Sequence, residues 1–221
     1  MRKVKFSNLL DGYANFRQNI YPKHEKLFKE LVDKGQSPEI MMISCCDSRV
    51  NSTQIFSAKA GDMFTLRNVG NLVPPYELDG GYHGTSAAIE YAVTELKVKL
   101  IIVMGHSYCG GIKAAYENKD AFAELDAETG KGFTRQWMSM IKEISDEIHE
   151  CHHDLSERDQ LKRLEQQNVL LSLKNLRSFK FVQDALDAGE LEMVGSWFDL
   201  DRGIILIGNE ATGEFHRIKS T

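Results

Sequence analysis

The sequence predicts an α/β fold: a mostly parallel central β-sheet flanked by helices, with an N-terminal helical arm and C-terminal helices followed by a hairpin. Two continuous apolar runs, at 40–43 and 100–104, are typical of strands that are covered on both faces. The segment 85–97 between them has the apolar spacing of an amphipathic helix. Because strands that alternate with helices form parallel sheets, we expect both runs in one sheet.

The composition is that of an ordinary globular domain, with 42% hydrophobic and 27% charged residues in a chain of 221. We expect a single domain, 1–221, made of an N-terminal helical arm (1–35), an α/β core that carries the functional site (36–117), and C-terminal helices and strands (118–221). The net charge of −5 gives no electrostatic basis for binding nucleic acid or an anionic membrane.

The cysteine content and the apolar segments indicate a cellular compartment. No segment contains the run of about 18 apolar residues that a membrane helix needs, and the basic start lacks the apolar stretch of a secretory signal. Four cysteines are too few for a disulfide scaffold in a chain of this length. We therefore expect a cytoplasmic protein with no membrane span, whose cysteines serve metal binding or catalysis.

Two helical patterns, 9–20 and 23–34, precede the first strand, and Tyr21 and Pro22 separate them. Their apolar residues recur at helical spacing, which predicts either stripes that face the core or an arm that packs on a partner subunit. The segment 35–38, Gly-Gln-Ser-Pro, then ends the helix and leads into the first strand.

Between the two apolar runs we expect a short helix at 52–56, a strand at 63–68 and the helix at 85–97. A long loop at 69–83 is rich in glycine, proline and asparagine, and long loops of this kind are often functional. After the second run, the polar and acidic segment 118–132 is predicted to be a surface connection.

The C-terminal part of the chain begins with two long helical patterns, at 134–152 and 157–176. Ser156 and Asp159 are spaced to cap the second of them. The segment 191–208 has the pattern of a hairpin, and the last dozen residues are predicted to form a tail.

Both apolar runs end at residues with reactive side chains. Cys45 follows the first run closely, and His106 and Cys109 follow the second. The carboxyl ends of neighbouring parallel strands open into one crevice, so we expect these three side chains to meet there. Thiolate and imidazole are ligands that zinc prefers, and a helix that begins at Cys109 would favour its thiolate. The sequence therefore predicts a zinc site with two cysteines and one histidine.

The sequence offers no convincing fourth protein ligand for this ion. Cys46 adjoins Cys45, but neighbouring side chains of an extended segment point to opposite faces. Three protein ligands leave a position for water, whose pKa on zinc can fall to about 7. Asp47 can accept a hydrogen bond from that water, and Arg49 can hold Asp47 ionised through a bidentate contact. This pattern indicates a hydrolytic or hydration catalyst.

The combination of Cys45-x-Asp47-x-Arg49 with His106-x-x-Cys109, each after an apolar strand, resembles the beta class of carbonic anhydrases. The resemblance implies one zinc ion per subunit on Cys45, His106 and Cys109, with Asp47 and Arg49 as the catalytic dyad that orients a zinc-bound hydroxide. The hydroxide would attack carbon dioxide and give bicarbonate and a proton.

The likeness covers most of residues 35–115 and looks most similar to the plant-type branch. It implies a small, largely apolar pocket, suited to an uncharged linear molecule, to which Gln36 would contribute from the partner subunit. The substrate-binding residues that it implies are Gln36, Phe64, Val69, Tyr91 and Gly110. Members of the family are dimers or assemblies of dimers whose N-terminal helices cross to the neighbour, so the resemblance implies a homodimer or homotetramer.

Two short patterns allow other interpretations. Residues 105–109 come close to the G-x-S-x-G elbow of serine hydrolases, with Ser107 as the nucleophile, although the fifth position is cysteine. His149 and His153 share one face of a predicted helix, and a second metal site is conceivable there, but a solvated helix face is the simpler explanation.

Two alternatives keep the zinc site and change its purpose. The zinc could be structural, in a binding or redox module that uses the adjacent thiols of Cys45 and Cys46, although this leaves Asp47 and Arg49 unexplained. The ion could also act on another small heteroallene such as carbon disulfide, which the shape of the access channel would decide.

Overall fold

The computed structural model of the chain describes residues 6–78, 81–117 and 129–218. Its centre is a six-stranded sheet in the order β2-β1-β3-β4-β5-β6. The first four strands are parallel, while β5 and β6 are antiparallel to their neighbours. The predicted α/β fold with a mostly parallel sheet is thereby confirmed. The strands are β1 (Ile40–Cys45), β2 (Met63–Asn68), β3 (Leu100–His106), β4 (Glu192–Asp199), β5 (Ile204–Gly208) and β6 (Phe215–Arg217).

The two apolar runs of the sequence form β1 and β3, which are neighbours. Their register pairs Ser44 with Met104, so both strands end at the same edge of the sheet. The chain passes from β1 outward to β2 and then returns to the other side of β1 to form β3. In open α/β sheets, the crevice at such a reversal of strand order is where ligands bind.

Helices and connecting segments bury both faces of this sheet. Along β1, Met41 and Ile43 belong to one apolar cluster and Met42 to another, because successive side chains point to opposite faces. None of the helices in the described residues combines the length and the apolar character needed to cross a membrane. The helices are α1 (Phe6–Asn15), α2 (Tyr21–Lys34), α3 (Ser52–Ile55), α4 (Gly84–Glu90), α5 (Gly110–Glu117), α6 (Phe133–Met138), α7 (Lys142–Cys151), α8 (Glu157–Leu176) and α9 (Lys180–Asp187).

The longest of these helices, α8, packs against β3 and β4. Its predicted bounds are confirmed, and the Ser156 hydroxyl oxygen accepts a hydrogen bond from the Asp159 N–H at 3.2 Å, as the capping pattern indicates. The contact with β3 is close because Gly105 has no side chain: a Cβ there would lie 2.6 Å from Cγ2 of Val169. The position of α8 against the end of β3 brings it next to the candidate site.

The N-terminal helix is continuous from Phe6 to Lys34, because a π-helical turn at Phe16–Ile20 joins α1 to α2. The predicted break at Tyr21 and Pro22 is therefore wrong. Pro22 lies in the first turn of α2, where a helix tolerates the missing N–H. No residue of α1 or α2 is buried, so among the described residues these helices contribute no fully buried core-facing stripe.

The structure also corrects three predictions elsewhere. The pattern at 134–152 is not one helix, because a 3₁₀ turn, Ser139–Ile141, separates α6 from α7. The last dozen residues are not simply a tail, since β6 pairs with β5. Helix α9 was not predicted, and the predicted helix at 85–97 consists of α4 and a π-helical turn, Tyr91–Glu95. Most of the predicted surface connection at 118–132 lies outside the described residues.

Candidate metal centre

The three predicted metal ligands meet at the carboxyl ends of β1 and β3. Cys45 is the last residue of β1, His106 is the last residue of β3, and Cys109 directly precedes α5. All three are buried, with relative exposures of 4%, 1% and 2%. Their ligand atoms lie within 4.8 Å of one another, and they form the single such group of His, Cys, Asp and Glu among the described residues.

The distance between the two sulfurs fits a zinc ion. A tetrahedral ion with Zn–S bonds of about 2.3 Å separates two thiolates by about 3.8 Å. The Sγ atoms of Cys45 and Cys109 are 3.9 Å apart. The two cysteines are therefore already spaced as ligands of one ion rather than as a disulfide.

The histidine presents the correct nitrogen to the sulfurs. Nδ1 of His106 lies 2.9 Å from the backbone oxygen of Ser107, so Nδ1–H donates to that carbonyl and fixes the tautomer. Nε2 is buried and makes no hydrogen bond among the described residues. A buried nitrogen without a partner is costly in a folded protein, and a metal ion would accept its lone pair. The donor set and its geometry fit zinc.

Hydrogen bonds favour ionised sulfur at this centre. A hydrogen bond shared with Cys109 is the main cause that lowers the pKa of Cys45; burial opposes it, and the neighbouring His106 and the Asp47 and Gly70 amides lower the pKa further. The same shared proton raises the pKa of Cys109, against the effect of two amides in the first turn of α5. The pair thus loses its first proton readily and its second with difficulty, and a cation between the sulfurs would stabilise both thiolates.

Asp47 and Arg49 form a closely fitted ion pair beside the cysteines. Nε of Arg49 donates to Oδ1 of Asp47 at 3.0 Å, Nη2 donates to Oδ2 at 2.8 Å, and the backbone N–H of Arg49 also donates to Oδ1 at 2.9 Å. These hydrogen bonds hold the pKa of the Asp47 carboxyl well below its usual range. Arg49 donates further to the backbone oxygen of Tyr108 at 2.8 Å, which ties the dyad to the loop that carries Cys109.

A second arginine, Arg67, holds the segment that follows β1. Its guanidinium donates to the backbone oxygens of Cys45, Asp47 and Val50 at 3.0, 2.8 and 2.7 Å. The sequence pattern did not indicate this role. The position of Arg67 on β2, opposite Ser44, is the signal that could have identified it, because a long side chain there reaches the end of β1.

The loop between His106 and Cys109 is held mainly by residues that sequence reasoning also missed. Glu165 of α8 accepts a hydrogen bond from the Cys109 N–H at 3.3 Å, and Arg158 of α8 lies over the ring of Tyr108, 4.1 Å from its centroid. Tyr108 has a φ of +59°, an uncommon conformation for a residue with a side chain. Nothing in local periodicity distinguishes Glu165 from the surface acids of the same helix.

The predicted substrate-binding residues fall into two groups. Val69 packs against the apolar cluster that contains Cys45 and Cys109, and Gly110 is exposed at the start of α5, so both adjoin the metal centre. The rings of Phe64 and Tyr91 contact each other with centroids 5.8 Å apart.

The second group lies away from the metal centre of its own chain. Phe64 pairs with Met41, four residues before Cys45, which is about 13 Å along the strand at 3.3 Å per residue. Gln36 is exposed in the connection between α2 and β1, at the start of the strand whose other end carries Cys45.

The competing patterns have structural roles instead. Ser107 is buried, and its hydroxyl oxygen accepts a hydrogen bond from the Leu200 N–H at 2.8 Å. The ring of His149 stacks on Tyr116 with a centroid distance of 4.1 Å. Helix α7 ends at Cys151, so the expected helix face shared with His153 does not form, and neither histidine belongs to a metal-binding group among the described residues. Cys46 is exposed, unlike Cys45.

Comparison with known proteins gives a consistent result. The family described as Carbonic anhydrase matches residues 40–205. The chain is 34% identical over 192 residues to Beta carbonic anhydrase 3 of Arabidopsis thaliana, covering 87% of this chain and 72% of that protein. It is 29% identical over 198 residues to a carbonic anhydrase of Synechococcus elongatus, covering 90% and 70%. The similarity thus does not single out a plant-type branch.

Solved structures agree over nearly the whole chain. The beta-carbonic anhydrase CcaA superposes with a TM-score of 0.85 at 30% identity, covering 97% of this chain and 92% of that one. A Coccomyxa beta-carbonic anhydrase in complex with acetazolamide gives 0.74 at 29% identity, covering 98% and 94%. A tetrameric beta-carbonic anhydrase of Sordaria macrospora gives 0.75 at 30% identity, covering 91% and 95%.

Proposed function

The chain belongs to the beta class of the carbonic anhydrase family, and from that premise we propose how its own residues carry out the reaction. The protein is an enzyme that hydrates carbon dioxide to bicarbonate and a proton. Zinc bound by Cys45, His106 and Cys109 supplies the Lewis acidity that brings the pKa of water to about 7. The observation that carries the proposal is the Asp47–Arg49 pair beside these ligands.

Asp47 orients the attacking oxygen. A carboxylate has about four sites at which its oxygens accept hydrogen bonds, and Arg49 occupies two on Oδ1 and one on Oδ2. One acceptor site therefore remains, on Oδ2. Because Asp47 stays ionised at neutral pH, it can only accept, so it binds a nucleophile that still carries an O–H and directs the lone pair of that oxygen toward carbon dioxide.

Arg49 acts through Asp47 by fixing its rotamer. The contact of Arg49 with the Tyr108 carbonyl connects this dyad to the loop of Cys109, so the nucleophile and the metal ligands keep one geometry.

Substrate is held between two subunits. Val69 and Gly110 adjoin the metal centre of their own chain, whereas Gln36, Phe64 and Tyr91 lie away from it. We assign these three to the site of a partner subunit: Phe64 and Tyr91 as an apolar wall for an uncharged linear molecule, and Gln36 as a hydrogen-bond donor to its oxygen.

A homodimer, alone or assembled into a tetramer, provides that arrangement. Helix α1 exposes apolar side chains, with relative exposures of 73% for Phe6, 62% for Leu9 and 59% for Tyr13. Such a face on a helix without buried residues needs a cover. In this proposal α1 and α2 form an arm (1–35) that packs on the neighbour, while 36–117 form the zinc core and 118–221 complete a single domain.

We propose the cytoplasm as the compartment, and the cysteines support this proposal. All four are free in the structure, and Cys45 and Cys109 must stay reduced to bind metal. A reducing compartment, the cytoplasm, meets that requirement.

The test is stopped-flow proton release on mixing the purified protein with dissolved carbon dioxide, with zinc content determined in parallel. We expect fast hydration that is lost in Cys109→Ala and after chelation, and that survives in the control Cys151→Ala, which changes an exposed cysteine. Zinc-loaded protein without hydration at pH 7 to 9 would refute the proposal. The same samples, assayed for hydrogen sulfide release from carbon disulfide, distinguish the heteroallene alternative.

A further inference from the structure

A carboxylate is buried beneath the loop that carries the third zinc ligand. The side chain of Glu165, on α8, is 2% exposed. Carboxylates at such depth need partners, and Arg158, two helical turns earlier on the same face, donates to both oxygens at 3.0 and 3.1 Å. The pair is therefore a fixed element of α8 rather than a mobile surface contact.

This pair reaches the zinc loop at two adjacent residues. Oε1 of Glu165 accepts the Cys109 N–H at 3.3 Å. The guanidinium of Arg158 stacks on the ring of Tyr108 at 4.1 Å, and the Tyr108 hydroxyl donates to Asp201 at 2.5 Å. The face of the Arg158 guanidinium thus supports Tyr108, the residue before Cys109. Its N–H groups at the same time hold the Glu165 carboxylate, which accepts the hydrogen bond from the Cys109 N–H.

The backbone of the loop requires such support. Tyr108 adopts a φ of +59°, and a residue with a side chain stays in that conformation only where its surroundings enforce it. This turn directs the Cys109 side chain back toward His106 and Cys45. An unsupported turn would relax and carry the Cys109 sulfur away from its 3.9 Å separation from Cys45.

We propose that Glu165 is a positioning residue for Cys109, and that the Arg158–Glu165 pair sets the zinc affinity of the site. The proposal rests on the zinc site described above and adds to it two residues of α8 that touch neither metal nor substrate. The pair acts on the backbone at Cys109 and on the side chain of Tyr108, so its effect is on ligand geometry.

The test separates positioning from simple stabilisation of the fold. Replacing a buried ion pair by two apolar residues of similar size often leaves stability unchanged. In Arg158→Met/Glu165→Met we therefore expect a folded protein whose zinc affinity, measured by competition with a chromophoric chelator, falls about 10- to 100-fold, as is usual when residues that orient metal ligands are lost. Substitution with cobalt should shift the thiolate-to-metal absorption bands.

The chain supplies a matched control. Arg177 and Glu210 form a second bidentate Arg–Glu pair, at 2.6 and 2.9 Å, whose glutamate is more exposed than Glu165 and which lies away from the metal centre. Arg177→Met/Glu210→Met should keep the wild-type zinc affinity and cobalt spectrum. Glu165→Gln, which keeps one oxygen for the Cys109 N–H, should recover part of the lost affinity.

Two results distinguish this inference from the proposed function. Zinc affinity and a cobalt spectrum unchanged in the Arg158/Glu165 double variant, whatever its melting temperature, would overturn the positioning role while wild-type hydration still stands. Wild-type protein that binds zinc without hydrating carbon dioxide would overturn the proposed function and leave the positioning test valid, since the zinc affinity and cobalt spectrum are read without turnover.

Discussion

Replacing Arg49 by methionine tests how much the dyad contributes to catalysis. The change removes two charge-assisted hydrogen bonds to Asp47 and keeps the one from the backbone. Hydrogen bonds to charged groups contribute about 1.5–3 kcal/mol each. Since the Arg49 side chain is 52% exposed, solvent screening reduces the net contribution of these two hydrogen bonds together to about 2 kcal/mol. If that energy holds Asp47 in its reactive orientation, kcat/KM falls about 30-fold, at about 1.4 kcal/mol per tenfold.

The pH profile identifies the cause of this loss. Without Arg49 the pKa of Asp47 rises toward its ordinary value near 3.9, so the carboxylate is still ionised at pH 7. We therefore expect stopped-flow kcat/KM to be lowered evenly between pH 6 and 9, with unchanged zinc content. Asp47→Asn should lose at least as much activity, and Arg177→Met should lose none. Values for Arg49→Met within threefold of wild type would refute the orienting role of the dyad.

Three further predictions concern the stability of the fold and the thiol of Cys46, next to the zinc ligand Cys45. Gly105→Ala introduces a Cβ 2.6 Å from Val169 and should lower the free energy of unfolding in urea by about 1–3 kcal/mol. The double variant Gly105→Ala/Val169→Ala should recover part of that loss. If the losses of the two single variants simply add in the double variant, the packing argument is wrong. The folded pKa of Asp47 lies below its unfolded value of about 3.9, so the stability that the ionised carboxylate gives the fold is complete above that pH and is lost as the pH falls through the folded pKa. The difference in unfolding free energy between wild type and Asp47→Asn should therefore be constant from pH 5 to 7 and shrink below pH 4. A difference that grows below pH 4 would contradict this sign. Cys46→Ser alters an exposed thiol and should leave zinc content and kcat/KM within twofold of wild type. Loss of zinc in this variant would indicate instead that Cys46 is a zinc ligand.

The metal ligands could be predicted from the sequence because their geometry follows from the sheet. Once two apolar runs are taken as neighbouring parallel strands, Cys45 and His106 must lie at one edge, and Cys109 follows within one turn. Asp47 and Arg49 are close to Cys45 in sequence, so their contact is also local. Local spacing and one assumption about strand pairing were sufficient for all five.

The residues that hold the site were not predictable in the same way. Arg67 and Glu165 reach it from β2 and α8, across 22 and 56 residues of sequence, and the periodicity of a helix or strand does not reveal such contacts. The break expected at Pro22 failed for a different reason: a π-helical turn before it keeps the helix continuous, and Pro22 lies in the first turn of α2, where its missing N–H is tolerated. Strand β6 is three residues long, too short for an alternating pattern, and depends on β5 for its conformation.

The separation of the two cysteines along the chain has a consequence for the durability of the enzyme. Cys45 and Cys109 are 64 residues apart, and β2 and α4 lie between them. Two thiolates that share one ion cross-link the chain at these points, and closing a loop of this length removes about 4 kcal/mol of chain entropy from the unfolded state, by the relation between loop length and entropy that applies to disulfides. An ion held by both thiolates would therefore also fasten the first three strands together. We therefore expect removal of the ion to make the protein easier to proteolyse as well as inactive.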